Sequence, residues 1–262
     1  MTPQRNFVAE GHLVPAGHGW TWIAGGWELL KRQPGTWVAI AIIAIVIFIA
    51  YYFMRAFGTI LGILLTPVFT AGFVIGAKAL DEGRELKIAH LFAGFTNRFG
   101  TLIAVGAIYL ALLFAIVVVS ALVTGVSVWV MLSASPDLTS ATMSAILSIL
   151  LAWLIALALM VPVVMAVWFA PPLVVFNELG AFDALKASFL GCLKNIVPFL
   201  IYGLILFGFA ILASIPLCLG WLVLAPVGFA TLALIPLGLG WLVLGPVIGA
   251  SIYTSYRDIY YR

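Results

Sequence analysis

The side chains able to do metal or acid–base chemistry are few and widely spaced in this chain. Its histidines and cysteines are His12, His18, His90, Cys192 and Cys218. Zinc, haem and iron–sulfur sites need such ligands at short, regular spacings, and these five residues offer none. The sequence therefore predicts no metal site and no other cofactor.

Carboxylates could also carry chemistry, and five of them lie between long apolar stretches: Asp81, Glu82, Glu85, Glu178 and Asp183. In that position they could ligate a cation or hold a partner, but solvated loop positions are the favoured interpretation. Nucleophile elbows, phosphate-binding glycine loops and His-Glu-x-x-His helices do not occur in the sequence. We therefore expect a protein that is not an enzyme.

The elements that would position these residues are membrane helices. Of the 262 residues, 65% are hydrophobic and 8% charged, whereas soluble domains are roughly half apolar and a quarter charged. Uncharged stretches reach the roughly 20 residues that cross a bilayer. The fold class predicted is an all-α, polytopic transmembrane bundle, with the lipid bilayer as its first partner. Six spans are predicted near 36–54, 57–77, 101–131, 144–168, 197–217 and 237–255.

Lys and Arg predict the orientation, because short cytoplasmic loops are enriched in them. One face collects Lys31, Arg32, Lys78, Arg84, Lys87, Arg98, Lys186, Lys194, Arg257 and Arg262. The opposite loops contain only Arg55 and Asp137, so both termini are expected in the cytoplasm. Lys78 and Arg257 mark span ends, where they would extend towards the headgroups. The net charge of +3 then reflects topology, and no nucleic-acid partner is expected.

A four-fold motif, Pro-Val-x-x-Ala, predicts an internal repeat. It begins at Pro67, Pro162, Pro226 and Pro246. Proline bends a helix, so its recurrence in successive apolar segments predicts one helical hairpin copied along the chain. We predict three parallel hairpins near 27–91, 92–188 and 189–262, joined by amphipathic linkers at the membrane interface. Residues 1–19 form a polar cytoplasmic N-terminus without an apolar signal sequence, and 20–262 form one transmembrane domain.

The four prolines are the candidate site residues, with two interpretations. Helix packing is favoured, since the small residues beside Pro67 and Pro246 allow neighbouring helices to approach closely. The alternative is a cavity lined by the kinked second, fourth and sixth spans. No acidic or basic residue falls in the middle of a predicted span, which argues against ion-coupled transport.

The last hairpin contains a second, sharper repeat. The segment at 215–227 recurs at 235–247 with eleven of thirteen positions identical. A full extra crossing would move Arg257 and Arg262 to the outer side, so we expect residues 218–236 to form a re-entrant or interfacial insert. Two unusually long helices are the alternative. Cys192 and Cys218 are expected at opposite membrane sides, which excludes a disulfide between them.

Four segments together suggest a family: GWTWIAGGWELLKRQPGTW, LLTPVFTAGFVIGAKALDEGRELKIAHLFAGF, APPLVVFNELGAFDALKASFLGCLKNIVPFLIYG and YTSYRDIYYR. Over nearly its whole length the chain resembles an uncharacterised six-span inner-membrane protein family of Gram-negative bacteria. That family is distantly similar to the membrane domain of some glycerophosphodiester phosphodiesterases. The resemblance implies a location in the inner membrane and implies no activity or functional residue.

Together these patterns predict a scaffold or accessory component of the envelope or of a membrane complex. Its expected partner is another membrane protein or a second copy of the chain. The alternative is a passive pore or a carrier of lipids or small molecules, which would need the cavity described above.

Overall fold

The protein is helical throughout the part described by this computed structural model, which covers residues 6–134, 138–224 and 235–262. Its α-helices there are α1 (His18–Arg32), α2 (Pro34–Phe53), α3 (Arg55–Asp81), α4 (Ala93–Thr96), α5 (Phe99–Ala134), α6 (Leu138–Trp168), α7 (Ala170–Asn177), α8 (Ala181–Lys194), α9 (Ile196–Leu224) and α10 (Ile235–Tyr260). A 3₁₀-helix, Ile88–Phe92, precedes α4. An isolated bridge between Phe7 and Tyr261 is the only β pairing in these residues. The all-α prediction is confirmed.

Within the described residues, four helical segments are long and apolar enough to cross a membrane: Pro34–Phe53, Arg55–Asp81, Phe99–Val126 and Ile146–Asn177. A fifth crossing results if Ala181–Lys194 and Ile196–Leu212, bent by 85°, form one broken span. Helix α10 covers the sixth predicted span but is not among these segments. The count of six spans and the insert at 218–236, part of which lies outside the described residues, therefore stay predictions.

A short helix, a backbone break and two long helices follow one another three times along the chain. The short elements are α1, the 3₁₀-helix with α4, and α8. The breaks fall at Gln33, Asn97 and Asn195, whose backbone leaves the helical region. This order is the one expected of three hairpins, whereas their superposition in space stays a prediction.

The three units contact one another in a cycle. Helix α3 packs against the 3₁₀-helix and α4, α6 packs against α8, and α10 packs against α1. In each case the second long helix of one unit touches the short helix of the next, and the last unit returns to the first. The earliest and latest helices of the chain therefore lie side by side.

The valines of the Pro-Val-x-x-Ala motif lie at or beside these contacts. Val68, Val163 and Val247 are all buried. A Cβ atom on Gly26 of α1 would lie 2.7 Å from the carbonyl oxygen of Val247, and one on Gly94 of α4 would collide with that of Val68. Glycine is thus required where two backbones approach this closely. At two of its three described occurrences the motif lies against a neighbouring backbone, as expected for packing.

A similar close approach joins α3 to α5. A Cβ atom on Gly106 would collide with the carbonyl oxygen of Leu64, whereas one on Gly100 of the same helix would meet nothing within 4 Å. The backbones of α3 and α5 therefore touch at Gly106.

Helix α5 is much longer than its counterpart in the first unit. It has 36 residues, and α2 has 20. At 1.5 Å per residue these lengths are about 54 and 30 Å. Since the hydrocarbon core is about 30 Å thick, α2 matches it and α5 exceeds it. The third predicted span, 101–131, is likewise the longest of the six.

The N-terminal segment is fixed to the end of the bundle where the short helices lie, which we call the polar end. The amides of Val8 and His12 donate to the carbonyl oxygens of Tyr260 and Ile259, both at 2.9 Å. The buried side chain of Asn195 accepts from the Val14 amide at 2.9 Å and donates to the His12 carbonyl at 2.9 Å. Residues before α1 are thus part of the packed bundle, and the predicted boundary at 19/20 falls inside α1.

Candidate functional site

An ion pair at the polar end joins α3 to α10. The guanidinium of Arg257 donates to the carboxylate of Asp81, and the Tyr253 hydroxyl donates to the same carboxylate at 2.9 Å. Burial alone would lower the pKa of Arg257, but the hydrogen bond and negative charge of Asp81 outweigh it and raise that pKa. We expected Asp81 to be solvated and Arg257 to extend towards the headgroups. Both expectations are wrong, because the C-terminal ends of α3 and α10 meet and the two side chains pair.

A second acid, Asp258, joins α10 to α1. Its carboxylate lies 2.7 Å from Nδ1 of His18 and accepts the indole N–H of Trp22 at 2.8 Å. The Trp22 ring is buried against Phe199 and Tyr202 of α9. Asp258 therefore holds α1 in place between α9 and α10.

Two further polar side chains at the polar end, Asn177 and Ser188, are also engaged within the chain. Asn177 accepts from the Tyr256 hydroxyl and donates to that of Tyr261 at 3.0 Å. Ser188 donates to the Met165 carbonyl at 2.7 Å and accepts the Phe169 amide at 2.9 Å. These groups connect helices, so their geometry is that of structural bonds.

The surroundings of His90 disfavour its protonated form. Burial, with the nearby charges of Arg84 and Lys87, lowers its pKa. Its Nδ1 accepts the Lys87 amide at 3.0 Å, which a protonated nitrogen cannot do. His90 thereby caps the 3₁₀-helix.

An apolar groove lies between α1, α9 and α10. It has a volume of about 680 Å³ and is lined by Trp20, Ile23, Ala24, Trp27, Glu28, Lys31, Phe209, Gly240, Val243, Leu244 and Val247. Its two charged residues form an ion pair of 2.8 Å between Lys31 Nζ and Glu28 Oε1. A groove of this size is within the roughly 300–1,000 Å³ typical of small-molecule sites. It is therefore a candidate binding site.

The prolines predicted as site residues lie in different surroundings. Pro67 in α3 and Pro246 in α10 are buried, and Pro162 in α6 is exposed. Pro226 lies outside the described residues. Neither this groove nor a second cavity of about 610 Å³ between α5 and α6 is lined by Pro67, Pro162 or Pro246. Their role as cavity lining stays a prediction.

Among the described side chains, Cys192, His12, His18 and His90 are not assembled into a metal site. Cys192 is a free, buried thiol with 3% of its surface exposed. The described part of the chain brings no three His, Cys, Asp or Glu side chains together as metal ligands. The expected absence of metals and cofactors stays a prediction.

The groove was missed by the sequence analysis because its walls come from distant parts of the chain. On α1, Ile23 is buried, while Trp20 and Trp27 are 52% and 42% exposed beside the charged pair of Glu28 and Lys31. The sequence feature that could have indicated the groove is the i, i+3 spacing of Glu28 and Lys31, which places opposite charges side by side on a helix next to a tryptophan.

Comparison with known proteins gives one informative similarity. The chain is 27% identical over 209 residues to a probable inner membrane protein of Burkholderia thailandensis, covering 76% of this chain and 75% of that protein. No family profile and no solved structure matches. The resemblance to glycerophosphodiester phosphodiesterases therefore stays an expectation. With its long apolar helices, the chain is an integral membrane protein.

Proposed function

We propose that the protein is a non-enzymatic accessory component of the bacterial inner membrane, acting through a partner membrane protein or a second copy of itself. The location is supported by the similar inner-membrane protein of Burkholderia thailandensis. The proposal includes six spans in three parallel hairpins, cytoplasmic termini, and the distant similarity to the membrane domain of glycerophosphodiester phosphodiesterases.

The observation that carries the accessory role is how the polar side chains are used. Asp81, Arg257 and Asp258 each bond to a residue of another helix. Catalytic and transport sites instead direct such groups into a cleft or an aqueous path. Here they rigidify the polar end, as a scaffold requires.

The test is purification of the chain in mild detergent followed by native mass spectrometry. A stoichiometric second protein or a homo-oligomer is the expected result. An isolated monomer that moves a solute across a reconstituted vesicle would contradict the accessory role, because a scaffold has no transport path.

A lipid or small-molecule carrier is the second candidate, and the groove beside α1 is the observation that favours it. The pore version would place a cavity at the prolines of α3, α6 and α10. Since Pro162 is exposed while Pro67 and Pro246 are buried, the described surroundings of the prolines favour packing.

The proposed orientation can be tested with single cysteines. Cys192 itself is too buried to report on a membrane side. Glu85 and Met54 are exposed, near opposite ends of α3. In a chain with both native cysteines replaced by alanine, an impermeant thiol reagent should modify Met54→Cys only from outside.

The same reagent should modify Glu85→Cys only in inverted vesicles, because the basic loops are expected inside. A permeant reagent that labels both variants in either preparation is the control for reactivity. Labelling of both positions from one side would contradict the proposed topology.

A further inference from the structure

The groove beside α1 combines an apolar wall with a charged mouth. Phe209, Val243 and Val247 contribute hydrophobic surface from α9 and α10. Glu28 and Lys31, one helical turn apart on α1, present opposite charges with 65% and 50% of their side chains exposed. A ligand that fits must be apolar along most of its length and must carry polar groups at one end.

The geometry points to a specific site for one glycerophospholipid with a zwitterionic headgroup. In this site an acyl chain lies along α10, and the headgroup lies at Glu28 and Lys31. The headgroup phosphate accepts from the Lys31 ammonium, and the headgroup ammonium donates to the Glu28 carboxylate. Each charge of the lipid thereby meets its opposite on α1.

The tryptophans of the groove support this occupant. Trp20 and Trp27 lie along the same side of α1 as the charged pair and are partly exposed. Tryptophan is enriched where apolar chains meet headgroups, because its ring is apolar and its N–H is a donor. Their position indicates that this part of α1 lies at headgroup depth.

Charge complementarity decides which headgroup is favoured. The mouth of the groove carries one positive and one negative group and is neutral overall. An anionic headgroup would be attracted by Lys31 but repelled by Glu28, because the carboxylate of Glu28 lies only 2.8 Å from the Lys31 ammonium. A zwitterionic headgroup satisfies both side chains. The site is independent of the accessory role, since a scaffold can also hold a structural lipid.

The test is a titration of the delipidated full chain in mild detergent, with bound lipid counted by native mass spectrometry. The probes are phosphatidylethanolamine, which is zwitterionic, and phosphatidylglycerol, which is anionic. We expect one retained phosphatidylethanolamine per chain, with phosphatidylglycerol bound about five-fold more weakly, the size typical of one exposed charge contact.

Charge variants distinguish this site from general adhesion of lipid. Glu28→Lys should reverse the preference towards phosphatidylglycerol, whereas the double exchange Glu28→Lys with Lys31→Glu should retain phosphatidylethanolamine. Glu85→Lys makes the same charge change at an exposed loop residue and should change nothing. An unaltered preference in Glu28→Lys would overturn the proposal.

A steric variant tests the apolar wall. Val243 is 39% exposed in the groove, so Val243→Trp should fill the groove and abolish retention of the lipid while the melting temperature of the lipid-free protein is maintained. Unchanged retention would overturn the proposal, as would a second copy of the chain occupying the groove in cross-linking experiments.

Discussion

Replacing Gly106 by alanine should lower the melting temperature of the detergent-solubilised protein by about 5–10 °C. The added methyl group would collide with the carbonyl oxygen of Leu64, and backbone cannot move aside as a flexible side chain can. Overpacking of this kind costs about 2–3 kcal/mol, and each kcal/mol shifts the melting temperature of a chain near this size by roughly 2–4 °C. Thermal unfolding followed by tryptophan fluorescence measures the shift.

Gly100→Ala is the matched control for this prediction. Gly100 lies on the same helix and undergoes the same glycine-to-alanine change, yet its new methyl group would meet nothing within 4 Å. Both variants replace a helical glycine by alanine, and the contact with Leu64 is present only at Gly106. Equal melting temperatures in the two variants would show that α3 and α5 do not meet at Gly106.

Replacing Arg257 by alanine should destabilise the protein by about 2 kcal/mol. Asp81 would keep its charge without its partner, and breaking a fully buried pair costs about 3–5 kcal/mol. Here the two side chains retain 37% and 25% exposure, so we expect a loss below that range. Chemical unfolding in detergent, with the slope held constant between variants, measures the difference.

Two further variants test whether the loss of stability comes from breaking the pair of Asp81 and Arg257. The exchange Asp81→Arg with Arg257→Asp should recover part of the lost stability, since the opposite charges remain adjacent. Arg84→Ala removes an exposed arginine that pairs with Glu82 and should change stability by less than about 0.5 kcal/mol. Equal losses in Arg84→Ala and Arg257→Ala would contradict a special role for the Asp81 pair.

The composition of the chain and the lengths of its uncharged stretches were sufficient to predict the helices and their approximate ends. Long uncharged stretches can only be helices in a bilayer, because every backbone group must be hydrogen-bonded internally. The motif around Pro67 and Pro246 also predicted close packing. What it could not indicate was the partner, since Gly26 and Gly94 lie outside the repeated sequence.

The polar contacts could not be predicted because they depend on residues far apart in the chain. Asp81 and Arg257 are separated by 176 positions and His18 and Asp258 by 240. Single-sequence patterns describe neighbours one or two helical turns apart. The local sequence therefore does not distinguish Asp81 from other loop acids, and it gives no indication of the roles of Ser188 and Asn195. An alignment in which such pairs vary together would have revealed them.

The contact between α1 and α10 also determines the order in which the molecule can be assembled. During synthesis at roughly 5–20 residues per second, α1 waits about 12–48 seconds for the residues that cover it. Helix α9 can already cover Trp22 in that interval, but α1 still lacks its bonds to Asp258 and its close backbone contact with Val247. Closure of the bundle is thus a late, post-insertion event, and nascent chains stopped before Asp258 should remain open to proteases at α1.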